Sequence, residues 1–169
     1  MKDTFHNSAV TSFPEILKVA FKPIHKSYLN VILIHLVVLF IGLFSVAFFI
    51  DYKGVLEVEI DSFLIYLFVL ILFIVVLFMN FYSFKKRKYV VREKDISYQK
   101  GLFFKKMTTV PFNRIQHIEI DQGPISRLFN VVSLSVFTAG DSSDDLKIRG
   151  LLKEEAQEIK EYISIQIDG

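Results

Sequence analysis

A membrane α-helical hairpin followed by a small α+β domain is the fold class this sequence predicts, and three observations predict it. The chain has 169 residues, 52% hydrophobic, with 18 Phe and no Trp, which is too apolar for a soluble domain of this size. Two long runs carry no formal charge. Beyond Lys88 the continuous apolar pattern gives way to alternation punctuated by Gly and Pro.

The N-terminal segment, 1–27, contains "TSFPEILKVAFKPI" from Thr11, which places Phe13, Ile16, Leu17, Ala20 and Phe21 on one helical face. Ser12 and Glu15 form a capping box and Pro23 ends the turn. Lys18 and Lys22 lie off the apolar stripe, so the expectation is a short helix in the membrane interface. Packing against the soluble domain is its alternative.

The first span, 28–50, is "YLNVILIHLVVLFIGLFSVAFFI", 23 residues without charge when His35 is neutral. As a helix it reaches about 34 Å, enough to cross a bilayer. It starts too far in, is too long and lacks a small-x-small site, so a removable signal peptide is not expected. A short connection, 51–61, leads to the second span, 62–82, whose 21 uncharged residues carry Tyr66, Asn80 and Tyr82 near the edges. Lys2, Lys18, Lys22 and Lys26 precede the first span and Lys85, Lys86, Arg87 and Lys88 follow the second, against Lys53 alone between them. The positive-inside rule then puts both termini in the cytoplasm.

The remainder, 83–169, alternates. "KYVVRE", "ISYQK", "FFKKMTTV", "IQHIEI", "VVSLSVFTA" and "LKIRG" are strand candidates, separated by Lys94-Asp95, Gly101, Gly123-Pro124 with the turn "ISRLF", and the acidic run Asp141 to Asp145. Ile118 and Ile120 share one face of their strand, with His117, Glu119 and Asp121 on the other. Leu152, Ala156, Ile159 and Ile163 then recur at helical spacing. The strands and closing helix carry their own apolar faces, so residues 88–169 are expected to fold without the spans.

About seven short strands and one C-terminal helix in this length suit a bent antiparallel β-barrel plugged by the helix. "VPFNRIQHIEIDQGPISRLFNV", with "YVVREKDISYQKGLF" before it and "TAG" and "EEAQEI" after it, resembles the bacterial pleckstrin-homology-like (PH-like) membrane proteins of the YdbS type. The resemblance covers 88–165 and extends to the two spans, and its most specific part is P-F-x-R-I-Q with the later R-L-F. Asn130 departs from the Gly that usually follows R-L-F; Asn is the next residue to tolerate positive φ, so the turn is expected to survive.

Chemistry-bearing patterns are sparse. The chain has no Cys, G-x-S-x-G, P-loop or H-E-x-x-H, and its four His are scattered, so no catalytic, cofactor or metal site is expected and an enzyme is not. The acidic run lacks EF-hand spacing. His35 lies mid-span without an acidic partner in either span. A net charge of +2 gives no reason to expect nucleic acid, and no small-molecule substrate is evident. Two candidate surfaces remain: Lys85, Lys86, Arg87 and Lys88 for lipid head groups, and Arg114 with Arg127 for an anion or a partner.

A domain already tethered to the bilayer has its surface free for protein contact at raised effective concentration. The expected function is therefore that of a non-enzymatic assembly subunit at the cytoplasmic face of the bacterial plasma membrane, its partner a second copy or, as the resemblance implies, another PH-like membrane protein. The alternatives are sensing of anionic head groups at the inner leaflet and a small oligomeric transport component.

Overall fold

The computed structural model describes residues 19–54, 62–139 and 146–168. Most of the expected interfacial helix, the connection 55–61 and the acidic run Asp141 to Asp145 lie outside the described residues.

Two long helices form the hairpin: α1, Ser27–Lys53, and α2, Ser62–Lys85. Each is long and apolar enough to cross a membrane, and at most a tenth or so of either is covered by the rest of the chain. Their apolar residues point to all sides, as lipid rather than a protein core would require. They meet through Phe40 and Phe73, edge to face at 4.7 Å, and through Phe44 stacked on Tyr66 at 6.4 Å. Gly54 ends α1 in the left-handed conformation at φ 59°, its N–H donating to the Asp51 carbonyl at 3.1 Å.

The other elements are β1, Lys22–Pro23; β2, Lys88–Val91; β3, Asp95–Lys100; β4, Lys106–Pro111; a 3-10 turn, Phe112–Arg114; β5, Ile115–Asp121; α3, Pro124–Leu128; β6, Val131–Thr138; β7, Leu146–Leu152; and α4, Lys153–Asp168. They build two antiparallel sheets, β1-β2-β3-β4 and β5-β6-β7, with α4 packed on the second. This two-sheet domain with its C-terminal helix fits the PH-like fold. Two details of the expectation are corrected. Among the described residues no strand pair joins the sheets, so the barrel is not closed. Among the described residues the domain also supplies six strands of its own; the seventh, β1, comes from upstream of the first span.

Alternation drives the second sheet. Leu134 and Val136 of β6 and Ile148 of β7 are fully buried, whereas Ser133 and Arg149 stand opposite one another in the next register pair and reach solvent. On α4, Ala156, Ile159 and Ile163 form the buried stripe, as their spacing predicts. Leu152 ends β7 rather than starting the helix, because it pairs with Val131 in the ladder. In the first sheet the buried Ser97 is satisfied across the strand pair by Thr109, with 2.8 Å between hydroxyls.

Asn130 adopts φ 52°, so the turn survives without Gly. Its side-chain amide donates to Glu154 Oε1 at 3.0 Å. Glu154 is held below the usual carboxylate range, first by its own backbone N–H at the helix N-terminus and then by Asn130.

The core extends past the second half of the chain. Ile24 is 3% exposed and belongs to the same cluster as Tyr89, Ile96 and Leu151. The His25 N–H donates to the Gly150 carbonyl at 2.8 Å and the Ile24 N–H to the Arg87 carbonyl at 3.4 Å. The residues just ahead of α1 are thus part of the domain, and both spans enter it at one end of the first sheet, where Pro23 pairs with Lys88.

Candidate functional site

Where α1 leaves the domain, Tyr28 packs on Gly150, and Gly150 holds φ 88°. No side chain stands between the Tyr28 ring and the β7 backbone, since a Cβ on Gly150 would lie 2.6 Å from Tyr28 Cγ. Arg87 reaches over the same ring, 5.8 Å from its centroid. Glu155, in the first turn of α4, accepts hydrogen bonds from both Tyr89 and Lys22. Burial, followed by this carboxylate, raises the Tyr89 phenol pKa well above its ordinary value, so the hydroxyl stays protonated and keeps donating.

This junction shapes two cavities that share lining residues. The first, about 410 Å³, runs between the domain and the spans. At one end stand Arg87 and Arg149; along its length lie Val31, Ile32, Leu36 and Leu39 of α1. From Tyr28 to Leu39 the helix advances about 16 Å. Polar groups come from Ser126 of α3, Ser133 of β6, Asn80 of α2 and His35. The His35 Nδ1–H donates to the Val31 carbonyl at 2.7 Å, which leaves Nε2 as its second polar atom. Cations at one end and an apolar helix flank toward the other give the groove the polarity of an anionic amphiphile.

The second cavity, about 300 Å³, shares Arg87 and Arg149 and adds Lys100, Lys106 and Lys147 around Tyr98 and Thr108. Tyr98 is buried, and burial pushes its phenol up while the nearby Arg87 and Arg149 charges pull the other way. Both arginines line the cavity together with Tyr98.

Of the candidate contact residues Lys85, Lys86, Arg87, Lys88, Arg114 and Arg127, Arg87 alone lines these cavities. Lys85 lies over the Phe81 ring at 4.4 Å, and Lys86 and Lys88 are exposed. Arg114 precedes β5 and Arg127 follows it, both exposed, so a seven-residue strand of about 23 Å separates them and they do not share one site. Sequence reasoning missed Lys100, Lys106, Lys147 and Arg149, which come from three strands. Two signals were present: Lys147 and Arg149 are two apart on a strand and so share a face, and Lys100 and Lys106 bracket the Gly101 reversal. His35 was singled out without a role; the structure sets it in the groove.

The two-sheet domain, its closing helix and the membrane-length hairpin define a class, the membrane-anchored PH-like proteins. The family model described as "Bacterial PH domain" matches residues 29–166, both spans included, and the chain belongs to that family. It is also similar to the "UPF0699 transmembrane protein YdbS" of Bacillus subtilis (strain 168), 32% identical over 77 residues, 46% of this chain and 46% of that one. The match thus spans about half the length of the curated relative. No solved structure matches the chain significantly. Neither match describes an enzyme, and the transmembrane relative together with the two long apolar helices supports a membrane location.

Proposed function

We propose that this protein is a non-enzymatic membrane module that holds an anionic lipid between its PH-like domain and its first span, at the inner leaflet. The observation that carries the reading is the single groove with Arg87 and Arg149 at one end and Leu36 and Leu39 further along the span. A phosphate at the guanidinium pair gains charge-assisted hydrogen bonds, and an acyl chain lies along α1 without leaving the apolar layer. Retention of native lipid tests this. The full chain purified in mild detergent is expected to carry anionic phospholipid by mass spectrometry, and Arg87→Ala with Arg149→Ala is expected to lose it at least tenfold, roughly one charge-assisted hydrogen bond. Neutral lipid alone, or equal retention by the double variant, would overturn the reading.

A second reading, assembly with a like protein, draws on the outer side of α4, where Ile165 is 69% exposed and Tyr162 and Ile167 also face solvent. A discrete crosslinked partner in membranes, with no anionic lipid retained, would favour it. For both readings the lysine asymmetry places the domain in the cytoplasm. The chain has no Cys, so single cysteines at Gly54 and Glu158 report topology. An impermeant maleimide is expected to label the first in intact cells and the second only after lysis; the reverse pattern would invert the topology.

A further inference from the structure

We infer that the second cavity receives a doubly charged phosphate, so that the lipid preferred by the groove is one whose head group carries a phosphomonoester or diphosphate. This rests on the groove reading above and adds the ligand's chemical class. The cavity shares Arg87 and Arg149 with the groove, so a head group seated at that pair touches residues that line both. A phosphodiester brings one negative charge, which the guanidinium pair already balances. Three lysines surround the space beyond it. Lys147 is engaged with Asp121 at 3.2 Å, but Lys100 and Lys106 stand directly opposite one another in the β3–β4 ladder.

Like charges facing each other across a strand pair destabilise a hairpin, so this pairing is unfavourable unless an anion sits between them. No carboxylate lines the cavity among the described residues. Tyr98 and Thr108 add hydroxyl donors at its wall. A phosphomonoester, at about −1.5 to −2 charges near neutrality, supplies the charge and the three acceptor oxygens that this donor set can use. A soluble diphosphate has the same chemistry, and the test separates the two sources.

The full chain is held in neutral-detergent micelles doped with equal amounts of phosphatidic acid, a monoester, and phosphatidylglycerol, a diester. Occupancy of each is read by native mass spectrometry. A parallel sample without anionic lipid receives inorganic pyrophosphate. Phosphatidic acid is expected to be favoured about tenfold, the scale of one charge-assisted hydrogen bond. Lys100→Ala with Lys106→Ala, both solvent-exposed positions that leave the core untouched, is expected to abolish the preference while phosphatidylglycerol stays bound. Equal occupancy of the two lipids by the unaltered chain overturns this inference and leaves the groove reading standing. Loss of both lipids from the unaltered chain overturns the groove reading itself. Tight pyrophosphate binding without a monoester preference overturns the lipid as the source.

Discussion

Replacing Gly150 by alanine is expected to destabilise the full chain by about 3 kcal/mol and to loosen the domain from its first span. Two effects add. An L-residue at φ 88° forfeits about 1–2 kcal/mol relative to glycine. The new Cβ then falls 2.6–2.8 Å from Cγ, Cβ and Cδ1 of Tyr28, the root of that side chain rather than its flexible tip, and such overpacking costs about 1–3 kcal/mol. Displacing Tyr28 also disturbs the Arg87 stack and the His25 N–H to Gly150 carbonyl bond. Thermal unfolding in detergent should show the midpoint fall by several degrees. Combining the change with Tyr28→Ala removes the Cγ and Cδ1 clashes and leaves the Cβ contact at 2.7 Å with the backbone effect, so the pair should cost less than the sum of the two single changes. Additive losses would mean that the ring and the strand do not share this space. The same substitution should reduce lipid retention, because Tyr28 is the element on which Arg87 is positioned.

The spans were legible because lipid imposes the simplest of patterns, an uncharged run of sufficient length; α1 and α2 extend the predicted 28–50 and 62–82 by only a few residues. The strands from β2 to β7 were legible for a related reason, since one buried face writes alternation into the sequence. β1 was not. Two residues, Lys22 and Pro23, carry no period, and their place in the sheet follows from Ile24 being drawn into a core whose other members lie more than sixty positions away. The separation of the sheets was hidden as well, since barrel closure depends on strand bending and register, which side-chain alternation does not encode. The cavity cations illustrate the same limit. A local cluster such as Lys85 to Lys88 is conspicuous, yet three of its four members point into solvent or onto Phe81. The cavity set gathers one residue from that cluster and one or two from each of three strands, and only the fold brings them together.

Replacing Ile159 by aspartate is expected to have the largest effect of any single change considered, about 3–5 kcal/mol. Ile159 is 8% exposed and sits between Ala156 and Ile163 on the face of α4 that covers β5, β6 and β7. Its neighbours in the core are aliphatic and aromatic side chains, so the carboxylate would lose its water without gaining a partner. The helix cannot turn the charge outward, because a rotation that frees position 159 also withdraws Ile163, which is fully buried. The control is Ile165→Asp, six positions on and 69% exposed, which should shift stability by no more than about 0.5 kcal/mol. Circular dichroism of the full chain in detergent would show loss of the strand and α4 signal for the first variant while the spans stay helical. The penalty falls on the ionised form, so it should shrink as the pH is lowered towards the ordinary aspartate value of about 3.9. A variant as stable as the unaltered chain at neutral pH would mean that α4 does not close the domain.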